Sequence, residues 1–434
     1  MNEYDSNRIL DLVSTIDYVA TQEPSEADCY ILNTCHIREK ATDKVYHDIG
    51  RLKKEFRNRK KPMVIITGCV AQAENQEMLN REKYIDGVVG PQSYHQIPDI
   101  IKKIENNKSK INSTDFEVIE KFDSLNLIKN SNSKISAFLT IQEGCDKFCH
   151  FCVVPYTRGP EFSRSSNEII NEARHLVSNG AKEITLLGQN VNAYNYKNQV
   201  KTFHLSDLIY ELSELKELKR IRYTTSHPKD VTEDLIKAHQ DCKKLMPILH
   251  LPVQSGSSNI LKTMNRKHDI EEYHEIINKL RKVKPNIKFS SDFIIGYPGE
   301  TESDFQQTLN LIEKIKFINS YSFIFSARPG TPASDLPSVN KKIAKKRLIK
   351  LQEILEKINT QSKKNFLNKS TEVLFENKMK DQDRYFGRDK FLNSIVVESK
   401  ENLTGQLLDV KIKNFNHNSL FGVIVTNENR NCAA

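Results

Sequence analysis

Cys145, Cys149 and Cys152 lie in the run Glu143-Gly144-Cys145-Asp146-Lys147-Phe148-Cys149-His150-Phe151-Cys152. Thiolates are the ligands that hold iron–sulfur clusters. Four irons and three cysteines leave one iron without a protein ligand. That open position can take a substrate or cofactor, as the open position of a catalytic zinc does. A loop this short brings the three sulfurs to one side, and Phe148 and Phe151 can wrap a cluster and limit its contact with water. The same residues also read as part of a zinc site, with His150 or a distant side chain as fourth ligand. Structural zinc sites more usually show two C-x-x-C pairs, and no second pair is present.

These residues need elements to hold them. The first ~100 residues alternate between helix and strand patterns. Ser6 to Ala20 has helical periodicity, Asp28–Asn33 reads as a strand, and a charged helix runs from about Ile37 to Phe56. Met63–Thr67 and Ile85–Val89 are further strands. Strands separated by helices predict an open parallel α/β sheet. Cys35 and Cys69 each fall just past the carboxyl end of a strand, the edge at which such sheets bind ligands. The pattern begins on a helix, with no strand before it.

A polar stretch at 105–130 reads as a linker. The segment 131–363 then shows six strand–helix units, with strands near Ile135–Ile141, Glu183–Leu187, Ile221–Thr225, Ile248–Val253, Phe289–Ile295 and Ser320–Phe325. Six parallel units predict a partial (β/α)6 barrel, whose reactive residues belong at the carboxyl ends of the strands. The cysteine loop falls there. So do Gly188, Gln189, Asn190 and Gln254. An amphipathic helix with a basic start covers Lys341 to about Lys363. Beyond it, 364–428 reads as short strands at Thr371–Glu376, Ser394–Val397, Gln406–Ile412 and Phe421–Val425, a small antiparallel β-barrel. Barrels of this size commonly bind nucleic acid.

Composition narrows the class. The chain has 434 residues and a formal net charge of +9, which suits an anionic partner such as RNA. No apolar run reaches the ~18 residues of a membrane span. The start Met1-Asn2-Glu3-Tyr4-Asp5 does not read as a secretory leader. Eight cysteines, several of them clustered, fit a reducing cytoplasm and metal binding better than a disulfide framework.

The cysteine run with its aromatic before the last Cys resembles the signature of the radical S-adenosylmethionine (SAM) superfamily. Further blocks resemble its methylthiotransferase family: Asn33-Thr34-Cys35, Gly68-Cys69-Val70-Ala71-Gln72, Pro155-Tyr156-Thr157-Arg158-Gly159, Leu186–Val191, His250–Gly256 and Gly296-Tyr297-Pro298-Gly299-Glu300. The resemblance implies three parts: a methylthiotransferase N-terminal domain at 1–104, a radical SAM core at 131–363 and an RNA-binding TRAM domain at 364–428. It implies a 4Fe-4S cluster with exchangeable SAM at Cys145, Cys149 and Cys152. A second 4Fe-4S cluster would use Cys35, Cys69 and a third cysteine. Gly188, Gln189 and Asn190 would contact the methionine part of SAM, and Gln254 its ribose. Arg158 and Arg328 are candidates for SAM carboxylate or tRNA phosphate. Cys29 reads as core, while Cys242, Cys432 and His36 match no family ligand.

The implied reaction inserts a methylthio group into an isopentenylated adenosine beside the anticodon. The Asn2-Glu3-Tyr4-Asp5-Ser6 start favours that branch over sisters acting on a ribosomal-protein aspartate or on threonylcarbamoyl adenosine. A non-enzymatic, zinc-containing RNA-binding protein is the alternative of a different class. The implied partners are a tRNA anticodon stem-loop and an electron donor of the flavodoxin or ferredoxin type. A cytoplasmic monomer without membrane contact is expected. One departure stands out: the third auxiliary cysteine of the family pattern would fall two residues before Met1. The absent first strand points the same way, so a longer natural chain is expected. The chain as given is expected to assemble the second cluster poorly.

Overall fold

The structure is a computed structural model that describes residues 1–35, 40–107, 109–116, 118–126, 128–131, 134–380 and 382–425. The chain divides into two compact units. One comprises Met1–Asn132, Thr140–His175 and Ser326–Asp335, and the other Ser133–Leu139, Leu176–Phe325 and Leu336–Ala434.

The first unit opens with α1 (Asn2–Ser14) and continues through β1 (Cys29–Thr34), α2 (Lys40–Glu55), β2 (Met63–Gly68), α3 (Cys69–Arg81), β3 (Gly87–Val89), α4 (Ile97–Asn107), β4 (Ile111–Ser113) and α5 (Val118–Asn126). The four strands form a parallel sheet in the order β1-β2-β3-β4. The stretch read as a linker is thus structured: β4 extends the sheet, and α5 buries Val118, Phe122 and Leu125 in the core that α4 fills with Ile97, Ile100, Ile101 and Ile104. That isoleucine spacing puts all four on one helix face, each contributing about 2 kcal/mol by burial. The sequence around 105–130 looked polar because only one face of α5 is apolar. Helix α1 ends at Ser14, short of the expected Ala20, and docks by a mixed face: Ile9, Leu12 and Val13 are buried, but so are Asp5, Arg8 and Asp11.

Strand β5 (Ser136–Thr140) leads into β6 (Gln142–Glu143). After α6 (Val154–Thr157) comes β7 (Phe162–Ser163), which pairs antiparallel with β6, and α7 (Ser166–Ser178) follows. The cysteine loop is what this narrow hairpin encloses.

In the second unit β8 (Glu183–Leu187) lies between β5 and the later strand β11. A small hairpin of β9 (Asn195–Lys197) and β10 (Thr202–His204) and helix α8 (Leu205–Ser213) precede β11 (Arg220–Thr224). Next come α9 (Glu233–Asp241), β12 (Ile248–His250), α10 (Ser258–Thr263), α11 (Ile270–Val283), β13 (Lys288–Ser290), β14 (Asp292–Ile295), α12 (Glu302–Ile315) and β15 (Tyr321–Ile324). The pairs β11–β8, β12–β13 and β14–β15 are parallel. This is the partial barrel of strand–helix units, with the fifth expected strand split at Ser291. Capping boxes at Asp269–Glu272 and Thr301–Asp304 start α11 and α12 by satisfying the open N–H groups of the first turn.

Helix α13 (Lys341–Lys364) then leads to β16 (Ser370–Lys378), β17 (Arg384–Asp389), β18 (Ser394–Glu398), β19 (Leu407–Phe415) and β20 (Leu420–Ile424). They close a barrel in the order β16-β17-β18-β20-β19. It has five strands where four were expected, and its β18–β20 pair is parallel. Strand β17 escaped notice because Arg384, Arg388 and Asp389 mask the alternation of Tyr385 and Gly387, which face inward.

Candidate active site

The cysteine loop is fastened at its neck. Gly144 has φ +75°, and a Cβ there would lie 1.8 Å from the Pro160 carbonyl oxygen. Only glycine accepts both conditions. The Cys145 N–H donates to Gly159 O at 3.2 Å, and the Cys152 N–H donates to Cys149 O at 2.9 Å. Cys149 is buried, Cys145 and Cys152 half-buried, and none of the three is in a disulfide. Burial pushes the Cys145 thiol up to about 12, and the neighbouring Cys152, Glu161 and Cys149 add to the effect. Phe148 adopts φ 47° and meets Tyr156 edge-on at 6.4 Å; it is exposed, so it shields less than the sequence suggested. The segment 326–335 lies on the loop, where the Ala333 N–H donates to His150 O at 3.0 Å.

Among the described residues no set of three or more His, Cys, Asp or Glu converges where one metal ion could sit. Three thiols gathered on one loop, one of them buried, are a donor set that suits a cluster, whose irons span a wider gap than a single ion.

Cys35 and Cys69 directly follow the paired residues Thr34 and Gly68 at the carboxyl end of the first sheet. Gly68, at φ +91°, lets β2 turn into α3 against Thr34, whose carbonyl oxygen would be 2.2 Å from an added Cβ. The Thr34 hydroxyl donates to Thr67 O and accepts from the Val70 N–H, which fixes this edge. Cys29 is half-buried on β1, and burial pushes its thiol up to about 12. Cys242 is buried at the end of α9. His36 and Cys432 lie outside the described residues.

In the second unit Gly188, Gln189 and Asn190 follow β8. Asn190 is buried and its Nδ2 donates to Asp230 Oδ2 at 2.7 Å. The adjoining turn is zipped to the end of β11: Val191 N–H to Thr225 O at 2.9 Å, Asn192 Nδ2 to His227 O at 2.9 Å, and His227 N–H back to Asn192 Oδ1 at 2.8 Å. Gln254, beyond β12, has φ 76° and a bridge to Phe293. Its Oε1 is buried without a partner among the described residues, as is the Ser226 hydroxyl. Thr225 also has positive φ, at 71°. Left-handed backbone at non-glycine residues tends to gather at ligand sites. Thr225 and Ser226 were missed in the sequence, where a Thr-Thr-Ser run after a strand carries no distinct signal.

The structure overturns the reading of Arg158 as a phosphate or carboxylate ligand. It is 2% exposed and already paired, with Asp5 Oδ2 at 2.8 Å and Glu143 Oε2 at 3.4 Å. Arg328 is buried as well. Arg347, in the basic start of α13, pairs with Glu300 at 2.7 Å and Glu302 at 3.0 Å. No described helix is long and apolar enough to cross a membrane.

Comparisons with known proteins show what the chain is similar to. A family model described as the radical SAM superfamily matches residues 139–312, and one described as uncharacterized protein family UPF0004 matches residues 1–90. A Pelagibacter ubique protein named tRNA-2-methylthio-N(6)-dimethylallyladenosine synthase is 58% identical over 435 residues, covering 100% of this chain and 97% of the relative. Relatives of the same name from Wolbachia pipientis and Rickettsia akari are each 47% identical, covering 97% and 98% of this chain and 97% of their own lengths. Among solved structures, the radical SAM methyltransferase TsrM from Kitasatospora setae, with tryptophan and a SAM analogue bound, matches with a TM-score of 0.53 at 12% identity, over 74% of this chain and 66% of that one. That likeness speaks for the fold. A full-length relative at 58% identity, with the thiol loop set where the superfamily model matches, assigns the chain to the tRNA-2-methylthio-N(6)-dimethylallyladenosine synthase family of radical SAM enzymes.

Proposed function

We propose that this chain inserts a methylthio group at carbon 2 of N6-isopentenyladenosine in tRNA, using SAM and a 4Fe-4S cluster held by Cys145, Cys149 and Cys152. The observation that carries it is the single short loop that holds Cys145, Cys149 and Cys152, closed at Gly144 and Pro160, in a chain whose relatives bear that activity's name along nearly their whole length. When bound, the cluster supplies the electron that opens SAM to a carbon radical, which can break an aromatic C–H bond that acid–base chemistry leaves intact. The chain's own residues hold and orient. The glycine neck fixes where the thiols point. In the second unit the buried Gln254 Oε1 is an acceptor suited to a donor group of SAM, and the turn that follows Gly188–Asn190 is zipped to the end of β11. Cys35 and Cys69 offer two thiolates to a second cluster.

Lys341, Lys342, Lys345, Lys346 and Lys350 are exposed on α13, a charged row suited to RNA phosphates. A flavodoxin-type or ferredoxin-type donor would supply electrons to a monomeric enzyme.

The test is mass spectrometry of nucleosides from isopentenylated tRNA after anaerobic incubation with reconstituted protein, SAM and a reductant. A methylthio gain is expected, and none with Cys149→Ala. SAM cleavage without any change in the tRNA would sink the substrate assignment; no cleavage at all would sink the cluster assignment.

A further inference from the structure

Four charged side chains are buried together behind the cysteine loop. Lys121 Nζ meets Glu143 Oε1 at 2.6 Å, and Arg158 bridges Glu143 at 3.4 Å and Asp5 at 2.8 Å. Two acids and two bases face one another, and they come from α1, α5, β6 and the end of α6. Glu143 stands two residues before Cys145 and Arg158 six after Cys152, so the knot ties both ends of the loop to the body of the unit. The Arg158 backbone is held too: its carbonyl accepts from Gln92 Nε2 at 2.8 Å. Lys121 further donates to Pro91 O at 3.1 Å and Gln92 Oε1 at 3.2 Å. Burial opposes the Arg158 charge, but the Asp5 and Glu143 carboxylates that it bridges favour it. Arg158 closes α6, and α6 packs on α3, the helix that Cys69 begins.

We propose that Arg158 is a positioning residue that joins the two cysteine sites, fixing the Cys145–Cys152 loop while carrying a permanent positive charge at the end of α6, where that helix packs on the one that Cys69 begins. The proposal rests on the assignment of clusters to these cysteines. Its planar fork suits the role, since one guanidinium can bind two carboxylates in fixed directions. A positive charge near bound thiolates favours the more negative, reduced state of a cluster.

The test compares wild type, Arg158→Met, Arg158→Lys and Asp5→Asn after anaerobic reconstitution with iron and sulfide. Iron content, electron paramagnetic resonance and redox titration are read, with circular dichroism as the folding control. Arg158→Met is expected to bind less iron, to change the resonance line shape and to shift the midpoint potential negative. Arg158→Lys, which keeps the charge but not the fork, is expected to recover the midpoint and only part of the iron. A folded Arg158→Met with wild-type iron, spectrum and midpoint would overturn the proposal. If that variant does not fold, Asp5→Asn decides: it leaves the guanidinium in place with one partner weakened, and a wild-type spectrum and iron content there would overturn the proposal equally. Wild type that takes up no iron would remove the cluster assignment, and the proposal with it, an outcome distinct from unaltered variants of a loaded protein.

Discussion

Lys121 and Glu143 form an ion pair at 2.6 Å with neither side chain exposed to solvent. The ammonium also lies 4.5 Å from the centre of the Tyr94 ring, a cation–π contact that partly replaces lost hydration. Removing Lys121 leaves Glu143 with Arg158 alone, at 3.4 Å, so the cost falls below the ~3–5 kcal/mol of a buried charge left wholly unpaired. Lys121→Met is expected to lower the urea midpoint accordingly. Adding Glu143→Gln is expected to cost less than the sum of the two single changes, because the residues share one interaction. Additive losses in the double-mutant cycle would contradict this.

Gly144→Ala places a methyl group where the Pro160 carbonyl oxygen already sits, 1.8 Å from the ideal Cβ, at a φ of +75°. The backbone must shift, and the neck of the loop with it. Iron bound per chain is expected to fall severalfold while the circular dichroism spectrum stays near wild type. Full iron content would show that the neck does not set the loop.

Charge on α13 predicts salt-dependent RNA binding. Lys345→Ala with Lys346→Ala removes two exposed cations and is expected to weaken tRNA binding. The slope of log K against log salt should fall by roughly two, about one per lost phosphate contact. Arg347→Ala is expected to act through stability instead, since Arg347 is buried against Glu300. An unchanged slope in the lysine variant would place the RNA elsewhere.

His268 is buried, and burial followed by the nearby Arg266 charge pulls it down to about 4 from an ordinary 6.5. Burial likewise pulls His239 down to about 3. Both stay neutral in the fold where the unfolded chain takes a proton. Between about pH 6.5 and 4 the unfolded state binds more protons, so stability falls as pH drops through that range. For His268 alone the full loss is on the order of 3 kcal/mol. Chemical denaturation of the metal-free protein at pH 7 and pH 5 reads it. His268→Gln should flatten the dependence, and an equal slope in the variant would show that His268 does not carry it.

What the sequence determined by itself is local. Cysteine spacing is a property of neighbours along the chain, so the loop at Cys145, Cys149 and Cys152 was legible, as were Cys35 and Cys69 at strand ends. Helical and alternating periodicity likewise gave α13 and the six strands of the partial barrel. Tertiary structure decided the rest. Whether a charged residue faces water or another charge depends on partners far away in sequence. Arg158 looked like a ligand for a phosphate until Asp5, 153 residues earlier, was seen beside it. Lys121 sat in what read as a linker, yet it is sealed against Glu143. Strand β17 was hidden because barrel closure, not its own composition, makes it a strand. Long-range pairing and burial have no local signature, and they are what turn a run of three cysteines into a fixed site.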